Sequence, residues 1–255
     1  MDAEAQLLCM MGQPVPEPVQ PAPRHVRIEE PDAEAATALT TFAPGACPST
    51  KDGPSRVILG LTMGIVPHIL CDGWGTASVD GTPTVRVQDR LTDLHTTPMP
   101  TRAASLREQV DAHVRATLGC SVTWRADPSG PAADVEEGAT FTELLQRRGW
   151  IVWWREGATG LSRDVAIGPL AMRRTNMLPF QRRDCLDARF FEPAPRIRAA
   201  ELRIRATFDR RALIRGVHTL SGFGADDGSW YASHIVHDLE PGVYEQTVSL
   251  VRVGA

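Results

Sequence analysis

The chain has 255 residues, a net charge of −4, and hydrophobic and charged fractions of 42% and 23%, a balance that supports ordinary cores and excludes a disordered chain. No apolar run approaches the roughly 20 residues of a membrane span. The acidic start Met1-Asp2-Ala3-Glu4 and the short run Leu7–Met11 give no expected export signal or lipid anchor.

Five scattered cysteines (Cys9, Cys47, Cys71, Cys120, Cys185) lack the short paired spacing of structural zinc and are expected to be small buried hydrophobes in a reducing compartment. Residues 1–54 are rich in proline and acid, as in Pro14-Val15-Pro16-Glu17-Pro18, and are expected to form a partly extended arm. In an isolated monomer the first twenty or so would stay unordered, with His25–Ile28 a possible short strand.

Residues 55–97 have the pattern of a first β domain. Val57–Leu61 and Ile65–Leu70 are continuous apolar runs, and Thr84–Arg90 alternates as a half-buried strand does. Asp72-Gly73-Trp74-Gly75 and Asp80-Gly81 have turn chemistry. Asp72 and Asp89 are possible site carboxylates, although nothing in the sequence pairs them.

Between 98 and 170 one small unit is written twice, giving an α/β module. Ser105-Leu106-Arg107-Glu108 and Thr140-Phe141-Thr142-Glu143 both read S/T-x-x-E, the capping box at a helix start. The first helix places Leu106, Val110, Val114 and Leu118 on one stripe and ends at Gly119; the second carries Phe141, Leu144 and Leu145 and ends at Gly149. Each glycine leads into a tryptophan-bearing strand, Cys120–Trp124 and Trp150–Trp154. On the latter, Trp150, Val152 and Trp154 share one face and Ile151 and Trp153 the other. Either it is a central strand with core on both sides, or another subunit covers one face. A turn at Gly157–Gly160 and a strand over Leu161–Ile167 close the module.

Residues 171–195 form an arginine-rich connection, expected to be irregular. From Arg173 to Arg215, twelve arginines face five acids, whereas the first fifty residues hold seven acids against Arg24 and Arg27. Such a segment meets either phosphate or acidic surface on a neighbouring subunit. Without regularly spaced aromatics the second reading is preferred. Residues 196–255 read as a C-terminal β domain, a small β-barrel or sandwich, with strands over Leu202–Phe208, Ala212–Leu220, Trp230–His237 and Tyr244–Val253 and turns at Asp226-Asp227-Gly228 and Pro241-Gly242.

No catalytic, cofactor or metal site emerges. His234 and His237 are three apart, so on a strand they face opposite ways and suit pairing within a sheet better than metal. Ser221-Gly222-Phe223-Gly224 is not a nucleophile elbow. Gly222-x-Gly224 lacks the strand-to-helix setting of a phosphate loop and reads as a hairpin connection.

Three stretches carry a resemblance. Thr84–Leu94 is similar to a hub strand that ends in an aspartate and leads to a leucine-bearing turn. Ala139–Leu145 with Gly149-Trp150 is similar to a capped helix before a strand. Gly228–His237 followed by Tyr244–Leu250 is similar to a closing hairpin, G-x-W to histidine and back through Y-x-x-x-x-x-L. In this order they resemble the baseplate or tail hub proteins of long-tailed bacteriophages and phage-derived injection machines, over residues 56–255.

The resemblance implies an α+β, mostly β fold: two small β-barrel-like, tail-tube-like domains with the α/β module inserted. It implies a non-enzymatic structural role as a homotrimeric ring that adapts a sixfold tail tube to a threefold spike and forms part of the DNA and tape-measure channel. Implied partners are other copies of itself, the tail tube or distal tail protein, the central spike and the tape measure protein. DNA would be met only in transit, without a membrane span or cofactor. The protein would be made in the host cytoplasm and reside at the virion's tail tip. Edge strands such as Tyr244–Val253 would pair across subunits. Candidate interface residues are Trp150, Trp153, Trp154, Arg182, Arg183, Trp230, Tyr231 and Tyr244. Two other readings remain: a tail-associated cell-wall hydrolase using His218, His234, Asp226 and Asp227, and a basic nucleic-acid-binding adaptor using Arg203 and Arg205.

Overall fold

The computed structural model describes residues 6–12, 17–32, 36–44, 46, 54–63, 66–78, 82–100, 105–129, 140–156, 163–169, 179–207 and 211–253. The expected turns at 80–81 and 157–160, with arginines 173, 174 and 210, lie outside them. The chain forms two compact units: 1–89 with 174–255, and 90–173.

Among its described residues, unit 1 is mostly strand. It contains β1 (Gln6–Gly12), β2 (Glu17–Pro18), β3 (His25–Pro31), β4 (Thr37–Thr41), β5 (Ser55–Met63), β6 (Val66–Ser78) and β7 (Thr84–Asp89). After unit 2 the strands resume. Counting unit 2's strands first as β8 (Val122–Trp124), β9 (Trp150–Glu156) and β10 (Arg163–Pro169), they are β11 (Phe180–Gln181), β12 (Cys185–Ala194), β13 (Ile197–Arg205), β14 (Val217–Ser221), β15 (Gly228–Glu240) and β16 (Val243–Arg252).

All thirteen strands of unit 1 join one sheet, in the order β12-β13-β16-β15-β3-β4-β7-β6-β5-β1-β2, with β14 on β15 and β11 on β14. Strand β15 organises it. One edge pairs with β16 along its length. The other pairs with β14 at residues 228–231 and with β3 at residues 234–239. A bulge between Ala232 and His234 lies where one neighbour gives way to the next.

The inward faces build two cores. Trp230, Ala232 and Ile235 of β15 join Leu202, Ile204, Leu220, Val248 and Leu250 in one. Leu239 and Tyr244, at the far end of the same hairpin, join Val26, Ile28, Phe42, Val57, Leu59, Val85 and Val87 in the other. Burying each large side chain contributes about 1.5–3 kcal/mol.

Several expectations change here. Gln6–Gly12 is not unordered: its apolar run pairs with β5 over seven positions and buries Cys9. Asp72-Gly73-Trp74-Gly75 is not a turn but the middle of β6. Neither glycine has a left-handed φ. A Cβ on Gly73 would run into the Gln88 carbonyl, and one on Gly75 into the Val57 side chain, so these glycines serve close packing of strands. The arginine-rich connection contains the ten-residue β12, paired with β13. Strand β16 is no edge, because β13 and β15 flank it on both sides.

Unit 2 follows the doubled pattern. Helix α1 (Leu91–Thr96) has no side-chain cap and no sequence signature. Helix α2 (Leu106–Leu118) starts at Ser105, whose Oγ accepts from the Glu108 N–H at 3.2 Å, and ends at Gly119 with φ 70°. Helix α3 (Phe141–Arg148) has the full reciprocal box. The Glu143 N–H donates to Thr140 Oγ1 at 3.3 Å, and the Thr140 N–H donates to Glu143 Oε2 at 2.9 Å. Their apolar stripes share one core with Leu94, Val152, Val165 and Ile167. The sheet order is β8-β10-β9, so the tryptophan strand is an edge rather than a centre.

Candidate assembly surfaces

The eight candidate interface residues fall into three groups. Trp150 and Trp154 are half-buried against the helical core of unit 2, Trp150 edge-on to Trp124 at 5.8 Å. Trp153 is half-buried on the opposite face, beside Ala166 in register. Arg182 and Arg183 are exposed on a single 3-10 turn, Arg182–Asp184, before β12. Trp230 and Tyr244 are core residues, 0% and 5% exposed, which removes them from the set able to face a partner. Tyr231 is half-buried.

Tyr231 and Tyr244 belong to a seam that sequence reading misses, where β3 meets β15. Burial pushes the Tyr244 hydroxyl well above the ordinary tyrosine range, so it remains a neutral O–H. It donates to His237 Nδ1 at 2.9 Å, and Gln246 Nε2 lies 3.3 Å from the same nitrogen. With Nδ1 accepting, the proton sits on Nε2 and is donated to Glu30 Oε2 at 3.0 Å. Gln246 also bonds both backbone groups of Ala212. Every ring nitrogen is thus engaged, in agreement with pairing within the sheet.

A second clasp lies at the end of β3. Tyr231 donates its hydroxyl to Asp32 Oδ1 at 2.5 Å, and Arg215 Nε donates to the same oxygen at 3.1 Å. Arg215 takes a left-handed φ of 56°, a strain of about 1–2 kcal/mol that its ion pair and hydrogen bonds to Asp32 offset. Glu30 and Asp32 are about two hundred residues from their partners. The only local signal was the Pro241-Gly242 hairpin, which sets His237 opposite Gln246.

The outward face of the sheet is polar across six strands. Three rows run across it: Arg205-Glu245-Asp238-Arg27-Leu39-Arg86, Arg203-Thr247-Val236-Glu29-Thr37-Gln88, and Glu201-Ser249-His234-Pro31. Four arginines (27, 86, 203, 205) meet four acids (29, 201, 238, 245), so these three rows together are neutral. Its charges interlock: Arg203 with Glu245 at 2.6 Å, Arg27 with Glu29 at 3.0 Å and with Asp238 at 3.4 Å.

The possible catalytic groups have structural duties. His218 is buried, takes the Leu213 N–H on Nε2 at 3.1 Å and lies against Phe180. Asp226 is gripped by the Arg198 guanidinium at 2.9 and 3.0 Å, which holds its carboxyl below the usual range. Asp227 accepts the Phe223 N–H at 2.6 Å. Asp72 is bound by Arg56 at 2.7 and 2.9 Å, while Asp89 is buried at the end of β7. Among the described residues no cluster of three or more metal-ligating side chains occurs, and no helix is long and apolar enough to cross a membrane.

No protein-family model matches the sequence, and no curated protein does. Solved structures do match the fold. The 43 kDa tail protein of prophage MuSo2 from Shewanella oneidensis is 13% identical, with a TM-score of 0.64, over 96% of this chain and 97% of that one. The tail protein from Neisseria meningitidis MC58 is 9% identical, with a TM-score of 0.65, over 98% and 97%. An Escherichia coli component of the type VI secretion system, itself structurally similar to the T4 bacteriophage tail proteins gp27 and gp5, is 8% identical, with a TM-score of 0.63, over 98% and 75%. The chain has the fold of phage tail proteins. The resemblance in the three stretches and the mostly β, α+β class agree with it.

Proposed function

We propose that the protein is a structural hub of a phage tail tip or baseplate, a homotrimeric ring that adapts the sixfold tube to the threefold spike. The likeness of fold over nearly the whole chain carries this reading. Two β lobes in one subunit suit a threefold ring that must present six equivalent positions. The balanced arginines and carboxylates of the three outward rows suit a channel wall, because a passing polyanion gains no net attraction from them. The subunit's partners are its own copies, the tail tube or distal tail protein, the spike and the tape measure, with DNA only in transit. It acts at the virion's tail tip after synthesis in the host cytoplasm.

Trp150, Trp153, Trp154, Arg182, Arg183 and Tyr231 are the residues proposed to lie near subunit contacts. The protein is read as a non-enzyme, and no observation favours the hydrolase or adaptor readings. Arg203 of the adaptor reading is already paired with Glu245. Native mass spectrometry of the chain co-expressed with its tube and spike proteins tests the proposal. Three copies bound to a tube ring or a trimeric spike are expected. A monomer that binds neither would sink it.

A further inference from the structure

Strand β15 runs through both lobes of unit 1, but one of its edges has two neighbours in succession. Strands β3 and β14 lie end to end along that edge, both antiparallel to β15, like the halves of one interrupted strand. The last pair of β3 is Pro31 with His234, and the first pair of β14 is Val217 with Tyr231. The bulge of β15 falls in the break. A bulge leaves one residue out of the ladder and lets the strand bend and twist. Where the two cores meet on the β15–β16 hairpin, the buried inward pair is polar. It is His237 with Gln246, set between Ile235 and Val248 of one core and Leu239 and Tyr244 of the other.

Asp32 and Arg215 face each other across the break, 183 positions apart in the chain. The backbone before β14 is anchored to β15: the Arg215 N–H donates to the Ala232 carbonyl at 2.9 Å, and the Ala232 N–H donates to the Gly216 carbonyl at 3.0 Å. The left-handed φ of Arg215 turns the chain at this point. Its guanidinium then reaches back to the Asp32 carbonyl, through Nε at 2.8 Å and through Nη2. The Asp32 carboxylate accepts from the same Nε and from the Tyr231 hydroxyl. The carbonyl just past the end of β3 is thus held by a side chain from the start of β14. Asp32 is 43% exposed, and an ion pair that open to water adds little to stability. An arginine nevertheless occupies a turn that glycine would take without strain. The strained turn therefore serves position more than stability.

We propose that this clasp splices β3 to β14 and fixes the angle between the two lobes, with Asp32, Arg215 and Tyr231 as positioning residues. Its use rests on the hub reading, in which the two lobes of each subunit meet successive positions of a sixfold tube. Lobes already held at one angle meet such a target without an ordering cost on binding.

Residual dipolar couplings of the full chain test the clasp, and affinity for a tube ring tests its use. In the wild type, couplings from β4–β7 and from β12–β14 are expected to fit one alignment frame. R215G keeps the turn and removes the guanidinium; D32A removes the carboxylate. Each should leave both lobes internally consistent but require a separate frame for each, and should weaken tube binding roughly ten-fold. Y231F, which loses one hydroxyl, should do less. R215K, which keeps the charge without the forked donors, should fall between R215G and the wild type. If R215G and D32A only lower the melting temperature while both lobes still fit one frame, the clasp is structural and the proposal falls. Separate frames with unaltered tube affinity would overturn the positioning role. A wild type that binds neither tube nor spike would sink the hub reading, while the couplings would still decide the clasp. If D32A misfolds, R215G decides, because it relieves the strained φ.

Discussion

Phe141 of the inserted module and His237 of the seam are equally enclosed, yet different forces hold them. Phe141 sits in an apolar cluster with Leu94, Leu106, Val110 and Leu145, its ring 5.4 Å from that of His113. His237 is surrounded by Tyr244, Gln246 and Glu30, and each contact has a direction. Apolar burial scales with area and tolerates small shifts. A chain of hydrogen bonds fixes register but exacts a penalty when one member is lost. The module is therefore a locally cohesive body, whereas the seam is a specifying joint between two β lobes.

The largest expected effect tests the first half of that contrast. Phe141→Ala should cost the module about 3–5 kcal/mol, read as loss of hydrogen-exchange protection in α2 and α3 while the strands of unit 1 stay protected. His237→Leu should cost about 1–3 kcal/mol, because the Tyr244 hydroxyl and the Glu30 carboxylate lose their common partner. Denaturant melts would show it, with protection lost along β3 and β15. Thr140→Ala should remove about 1 kcal/mol from α3. Glu245→Gln, which cuts a pair at the sheet surface, should change stability by less than about 1 kcal/mol and only at low salt.

Acid should separate the regions further. Burial lowers the pKa of His113 below its ordinary 6.5, with its N–H donated to the Leu94 carbonyl at 3.0 Å. A depressed histidine favours the neutral folded form, so its contribution is complete above pH 6.5 and is lost as pH falls through the folded pKa. Asp226 is likewise depressed from 3.8, chiefly by the Arg198 hydrogen bond, so its contribution persists at mild acidity and is lost only at lower pH. Hydrogen exchange on acidification should show the module opening before unit 1. His113→Gln should abolish the early step. If both units open together in the wild type, the contrast fails.

The module was also the more legible region. Capping boxes at Ser105 and Thr140 and glycine stops at 119 and 149 are local signals, because a helix satisfies its ends within a few residues. Unit 1 depends on partners far apart in sequence. Gly73 and Gly75 resemble turn residues until Val57 and Gln88 are known to pack against them. Strand β12 was hidden because Asp187, Arg189, Glu192 and Pro193 break up its apolar pattern. The clasps of Glu30 and Asp32 have no sequence signature, since the chain distance to His237 and Arg215 exceeds 180 residues. Trp230 and Tyr244 stood out as large aromatics, but composition does not say whether such a ring faces a partner or its own core.

The sharing of β15 between two lobes also sets an order of events during synthesis. Strand β3 leaves the ribosome early, but its neighbour on one side is made some two hundred residues later. The module between them is a compact unit of about eighty consecutive residues and can fold while translation continues. The first lobe cannot close its core until Leu239 and Tyr244 arrive. A truncated polypeptide would therefore present a finished module and an unfinished sheet. Pairing of β16 with β13 and β15 is thus the step that completes the sheet.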